Sequence, residues 1–139
     1  MFETIANHKG NKFYKVKTNS IESAQESLGI VFPKDLIEFY KQVGYGFLKS
    51  EKDNFNRIMD PESVAEFRLR TGQFANYSGL DIYDAYERDQ LVFFEICEGC
   101  YISIGFTKNN YGKIFYGKKR IANSLEEFLI KYQDDENYF

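Results

Sequence analysis

Few side chains in this sequence have the type and spacing that chemistry needs, and they are scattered. Cys97-Glu98-Gly99-Cys100 is a C-x-x-C. That spacing serves dithiol exchange when the first sulfur opens a helix, whose N-terminus stabilises a thiolate. It serves zinc when two further ligands are supplied. Here β-branched and aromatic residues flank the motif on both sides, and Glu98-Gly99 reads as a tight turn. The pair therefore brackets a hairpin and lacks the helix end. There is no second C-x-x-C, and His8 is the one histidine. Both cysteines are expected to be structural, with no metal and no cofactor.

Other constellations are equally incomplete. A serine nucleophile needs a base, and the G-x-S-x-G elbow is absent. Gly44-Tyr45-Gly46 begins like a phosphate loop, but Lys49 stands where the third glycine belongs. Asp81, Asp84, Glu87 and Asp89 surround a single Arg88. Paired carboxylates can act as general acid and base. Spacings of three and five residues also belong to a solvated helix face. Between residues 108 and 120, Lys108, Lys113, Lys118, Lys119 and Arg120 have no acid among them, and Tyr111, Phe115 and Tyr116 interleave. Cations for phosphates and rings for bases would suit nucleic acid. Against that, the net charge is −3, and strand ends carry charge to block edge pairing. No catalytic residue and no nucleic-acid partner are expected.

What remains is a surface for another protein. Tyrosine joins an apolar ring to a polar tip and is common at recognition surfaces. Tyr83, Asp84, Tyr86, Glu87 and Asp89 combine rings with carboxylates, and Tyr45 is added as a neighbour. Such a surface would speed the capture of a basic partner. A second acidic group, Glu126, Glu127, Asp134, Asp135 and Glu136, reads as a solvated face.

The elements that must position these residues follow from periodicity and punctuation. Residues 1 to 17 are polar and irregular, enough for one short strand or a docked arm. Thr18-Asn19-Ser20 offers N-caps to a helix whose stripe is Ile21, Ala24, Gln25 and Leu28, and Gly29 ends it. Ile30-Val31-Phe32 is extended. Pro33 starts a second helix, with Leu36, Ile37, Phe39, Tyr40 and Val43 at helical spacing. Gly44 stops it and Gly46 relaxes the backbone. Phe55 to Met59 fits a strand, Asp60-Pro61 opens a third helix, and Gly72 is its expected stop. Residues 73 to 90 fit either a loop or a helix carrying Ile82, Tyr83 and Tyr86.

From residue 91 the pattern is β. Leu91 to Ile96, Tyr101 to Ile104 and Lys113 to Tyr116 form an antiparallel meander with turns at Glu98-Gly99 and Asn109 to Gly112. Asn123-Ser124 caps a final helix, with Ser124 and Glu127 as a capping box and Leu125, Phe128, Leu129 and Tyr132 as its apolar face. The expected class is α+β: an antiparallel sheet, helices packed on one side, and a C-terminal covering helix. A chain of 139 residues fits one domain, 1–139. Its 14 Phe and 11 Tyr, without Trp, must largely be core. The start lacks an apolar signal region, and no apolar run reaches bilayer length, so a cytoplasmic protein without a membrane partner is expected.

Two stretches resemble the SUKH superfamily, which includes fungal cell-wall regulators and bacterial immunity proteins. One is Leu28-Gly29-Ile30-Val31-Phe32-Pro33, continuing through Asp35-Leu36-Ile37-Glu38-Phe39-Tyr40 to Val43-Gly44-Tyr45-Gly46. The other comprises Leu91 to Phe94, Gly99 to Ile104, Gly112 to Tyr116 and Ile121 to Leu129. Val43 stands where the family often carries Asn, and residues 47 to 90 depart from the pattern. The resemblance implies an α+β domain without catalytic residues. In bacteria it implies an immunity protein that binds and neutralises a cognate polymorphic toxin, often a nuclease. A regulatory scaffold without a toxin is the alternative.

Overall fold

Seven strands pair in the order in which the chain makes them, every neighbour antiparallel. The computed structural model describes residues Met1–Phe139. A short helix α1 (Glu3–Ala6) leads to β1 (Lys12–Tyr14). Helices α2 (Ser20–Leu28) and α3 (Lys34–Gln42) intervene before β2 (Tyr45–Phe47) and β3 (Arg57–Ile58). Helix α4 (Pro61–Leu69) and two 3-10 turns, Gly72–Phe74 and Leu80–Tyr83, precede β4 (Gln90–Cys97). β5 (Cys100–Gly105), β6 (Ile114–Tyr116), β7 (Lys119–Ala122) and α5 (Leu125–Asp134) complete the chain. The α+β class, the C-terminal meander and the covering helix are as the sequence implied. None of the helices is long and apolar enough to cross a membrane.

The helices divide between the two faces of the sheet rather than gathering on one. Glu95 pairs with Tyr101, and Phe94 with Ile102. Alternation therefore sends Phe94 and Tyr101 to opposite faces. Phe94 packs on Phe128 and Tyr132 of α5, with ring centroids 5.3 and 5.4 Å apart. Tyr101 packs on Phe67 of α4 at 4.8 Å, with Phe74 and Tyr83 beside it. Double covering explains why Leu91 to Glu95 is buried throughout, and why this strand reads as a continuous apolar run. On the α5 face, Phe39 of α3 meets both Phe2 and Phe13.

Local signals set most boundaries. Gly29 ends α2 in the left-handed region, φ 65°. Ser124 accepts the Glu127 N–H, and the Glu127 carboxylate accepts the Asn123 N–H, one residue outside the usual box. Pro33 sits just before α3, whose first free N–H, on Lys34, is taken by the Tyr111 hydroxyl from the β5–β6 loop. The α4 stop differs from expectation. Arg70 turns left-handed at φ 55°, and Gly72 instead opens a 3-10 turn. Residues 73 to 90 form 3-10 and other turns, not a helix, and Ile82 points to solvent.

The glycines at 44 and 46 do more than stop a helix. A Cβ on Gly44 would stand 2.0 Å from the Tyr14 carbonyl oxygen, and one on Gly46 2.1 Å from that of Lys12. With φ at 119° and 149°, both positions belong to glycine. They admit β1 as the edge strand.

Candidate functional site

Arg70 organises the acidic segment. Its left-handed position at the end of α4 aims the guanidinium at the 3-10 turn that follows. Nη2 donates to Glu87 Oε1 at 2.6 Å, to Asp84 Oδ1 at 2.9 Å and to the Leu80 carbonyl at 3.2 Å. Nη1 reaches Glu87 Oε2 at 3.3 Å, and the group lies over the Phe67 ring at 4.7 Å. This is a bidentate clamp. Burial pushes the Glu87 carboxyl above its ordinary range, and the Arg70 hydrogen bonds act against that rise. The Glu87 side chain is 11% exposed and that of Asp84 67%. Arg68 donates to the Gln90 carbonyl at 3.3 Å and lies over Phe106. Three arginines, Arg68, Arg70 and Arg88, therefore stand among four acids, and this end of the molecule is only slightly negative.

Each residue named from the sequence has a definite place. Tyr83 is buried. Its hydroxyl donates to the Gly99 carbonyl at 2.9 Å and accepts the Tyr101 N–H at 3.1 Å. It anchors the 97–100 hairpin from inside and offers little to a partner. Tyr86 is half-buried beside the Gly117 turn between β6 and β7. Asp89 is half-buried, and its carbonyl accepts the Phe106 N–H. Arg70 brings Asp84 and Glu87 together, while Tyr86 lies by the Gly117 turn and Asp89 is engaged through its backbone. Tyr45 is not with them: it lies on β2, and β3, β4 and β5 separate it from the turn that Tyr86 touches.

Cys97 and Cys100 face each other as register partners at the hairpin end, both with free thiols. Burial and the neighbouring Cys100 thiol push the Cys97 thiol up, away from the thiolate. His8 is exposed between α1 and β1. No group of three or more His, Cys, Asp or Glu side chains is placed to hold a metal ion. The basic segment at 118 to 120 is the β6–β7 turn and an edge strand, with Lys119 and Arg120 exposed.

Two features escaped sequence reading. The Glu136 carboxylate is not part of a solvated acidic run. It accepts hydrogen bonds from Ser50 Oγ at 2.9 Å, Glu51 N–H at 2.7 Å, Asn56 Nδ2 at 3.1 Å and Asn54 Nδ2 at 3.4 Å. Asn56, fully buried, also accepts the Tyr132 hydroxyl at 2.7 Å. The C-terminal tail thus clasps the loop between β2 and β3. The second is a pair of exposed rings, Tyr14 and Phe47, beside Tyr45 on β1 and β2. Its only sequence signal was the alternation in Lys12-Phe13-Tyr14 and Tyr45-Gly46-Phe47.

The order of elements and the Gly–Pro and glycine-turn punctuation define a SUKH-type domain, and residues 15–131 match the SMI1 / KNR4 family (SUKH-1). The chain belongs to this family. Within reach of it lies the immunity protein YxxD of Bacillus subtilis (strain 168), 42% identical over 138 residues, which are 99% of this chain and 94% of that protein. No solved structure matches the chain.

Proposed function

We propose that this protein is an immunity protein that binds and neutralises a cognate polymorphic toxin of the nuclease class. It does so by occluding the toxin's site and catalyses nothing itself. The observation that carries the reading is the 42% identity, end to end, with a protein named for immunity. Identity at that level over nearly the whole length supports a shared fold and a shared class of role. The chemistry of the surface supports it: rings and carboxylates suit shape and charge complementarity.

A nuclease that grips phosphate is basic, and the exposed carboxylates of Asp81 and Asp84, with Tyr86 and Asp89 alongside, are the part of the 81–89 segment that could meet it. Glu87 and Tyr83 support that part from beneath. The protein works in the cytoplasm, where such a toxin meets its substrate.

Co-production with the toxin encoded beside its gene tests the reading. Restored growth and a 1:1 complex on gel filtration are expected. Undiminished killing with no complex would refute it. Asp84→Lys should slow association, most strongly at low salt. An unchanged on-rate removes Asp84 from the interface.

A further inference from the structure

The open end of the sheet, at β1 and β2, leaves Tyr14 and Phe47 exposed. Phe13 turns to Phe39 of α3, and Asn56 bonds Tyr132 of α5. By alternation and register Lys12, Tyr14 and Arg57 point to the opposite face. The register places Phe47 beside both Lys12 and Arg57, and Tyr45 beside Tyr14, with ring centroids 5.7 Å apart. Helix α4 and the 3-10 turn at 72–74 cover this face only as far as Arg57. There Gln73 Oε1 accepts Arg57 Nη1 at 3.0 Å, Ser63 Oγ accepts Nη2 at 2.7 Å and Glu95 Oε1 accepts Nη1 at 3.3 Å. Beyond that edge Tyr14 is 49% exposed and Phe47 40%. Large rings left in contact with water on a rigid, twisted sheet face are what an interface core looks like before its partner arrives. Lys12 lies on the face beside Phe47, and Lys9, Lys12, Lys15 and Lys17 fall within nine residues that hold no acid.

We infer that this β1–β2 face, centred on Tyr14, Tyr45 and Phe47, is the main docking surface for the cognate toxin, and that the toxin meets it with an apolar patch flanked by carboxylates. The inference rests on the immunity reading and locates its surface. Charge complementarity selects an acidic rim, since Lys12 lies on the face itself and no carboxylate of the strands is free there. Glu95, the nearest, is committed to Arg57. Arg57, the one arginine of this face, is held by Gln73, Ser63 and Glu95, and a nucleic acid gripped by the lysines and rings is the outcome that the RNA arm of the test separates. A toxin seated here meets the 81–89 end only by spanning the sheet, so the two surfaces report separately.

The test is titration of the adjacent-encoded toxin domain against the wild-type chain and three variants, with thermal unfolding of each to check folding. Tyr45→Ser with Phe47→Ser should weaken binding on the order of a hundredfold and abolish protection. Lys12→Glu with Tyr14→Ser, at two more exposed positions, should weaken it on the order of tenfold or more and flatten its salt dependence. Lys118→Ala, at the far turn, should bind as wild type. Full affinity in both double variants, each folded, would overturn the inference and leave the immunity reading standing. A wild-type chain that neither binds nor protects would overturn both. Two further results would reassign the face and overturn the proposal. One is tight binding of a single-stranded 12-mer RNA that Tyr45→Ser with Phe47→Ser removes. The other is a dimer by light scattering that the same variant splits.

Discussion

The Tyr83 hydroxyl sits between two backbone groups, the Gly99 carbonyl and the Tyr101 N–H, and satisfies both. Removing only that oxygen strands a buried donor next to the hairpin. Tyr83→Phe should therefore cost about 1–3 kcal/mol in denaturant unfolding. A cost within error of zero would mean that the hairpin is held elsewhere. Glu136 carries a similar load at the other end. Burial opposes its charge, but the hydrogen bonds from Glu51, Asn56, Ser50 and Asn54 outweigh it and hold the carboxyl below its usual range. A depressed folded value contributes stability above the unfolded value of about 4.3 and loses it as pH falls through the folded value. Wild type should thus exceed Glu136→Gln by about 1–2 kcal/mol at pH 7. The gap should close in acid, followed by urea unfolding at several pH values. A gap independent of pH would show that charge is not what the clasp uses. Glu87 and Glu95 run the opposite way: burial raises both, so their contribution is greatest in acid and fades as pH rises through their folded values. None of these roles was legible in the sequence. Tyr83 and Glu87 looked like surface because their neighbours Asp84 and Arg88 are; turn geometry, not periodicity, sent them inward. Glu136 looked like one acid in a solvated run because its partners lie 80 to 86 residues earlier.

At the level of elements, β1 exists because Gly44 and Gly46 let it approach. Gly46→Ala meets a carbonyl oxygen at 2.1 Å and an unfavourable φ of 149°. It should destabilise by roughly 3 kcal/mol or more, seen as a lower denaturant midpoint. It should also release β1, seen as fast hydrogen exchange in residues 12–14. Wild-type stability would contradict the close approach. The sequence marked these glycines as caps and turns. It could not show the closer constraint, which comes from a strand 30 residues upstream. Elsewhere local signals sufficed. The Gly29 stop, the Pro33 and Pro61 starts, the Ser124 cap and the Glu98-Gly99 turn depend on residues within a few positions of each other, and all are where the sequence put them. The α4 stop moved to Arg70 because the bidentate clamp on Glu87 compensates for a left-handed arginine, a tertiary effect. Strand β7 was missed because Lys118-Lys119-Arg120 reads as charge, although Ile121 and Ala122 behind it are buried.

For the whole molecule, the aromatic wealth of the sequence divides in two. Phe39, Phe67, Phe93, Phe94, Tyr101 and Phe128 fill the layers on either side of the sheet. Tyr14 and Phe47 stay in water on the part of one face that no helix reaches. Composition alone could not apportion rings between core and surface; only the two-sided covering of β4 and the one-sided covering of β1 and β2 does so. The α+β class and the family were legible because they depend on element order. The surface was not, because it depends on where covering stops. Shape and charge offered to another macromolecule is the claim on which the account stands. The most direct measurement is titration of the activity of the purified toxin domain encoded beside the gene with the purified chain. The account predicts a linear fall to full inhibition at one equivalent, with no change in the toxin's covalent structure. Activity undiminished at a large molar excess, or inhibition far below one equivalent, as a catalyst would give, would contradict it.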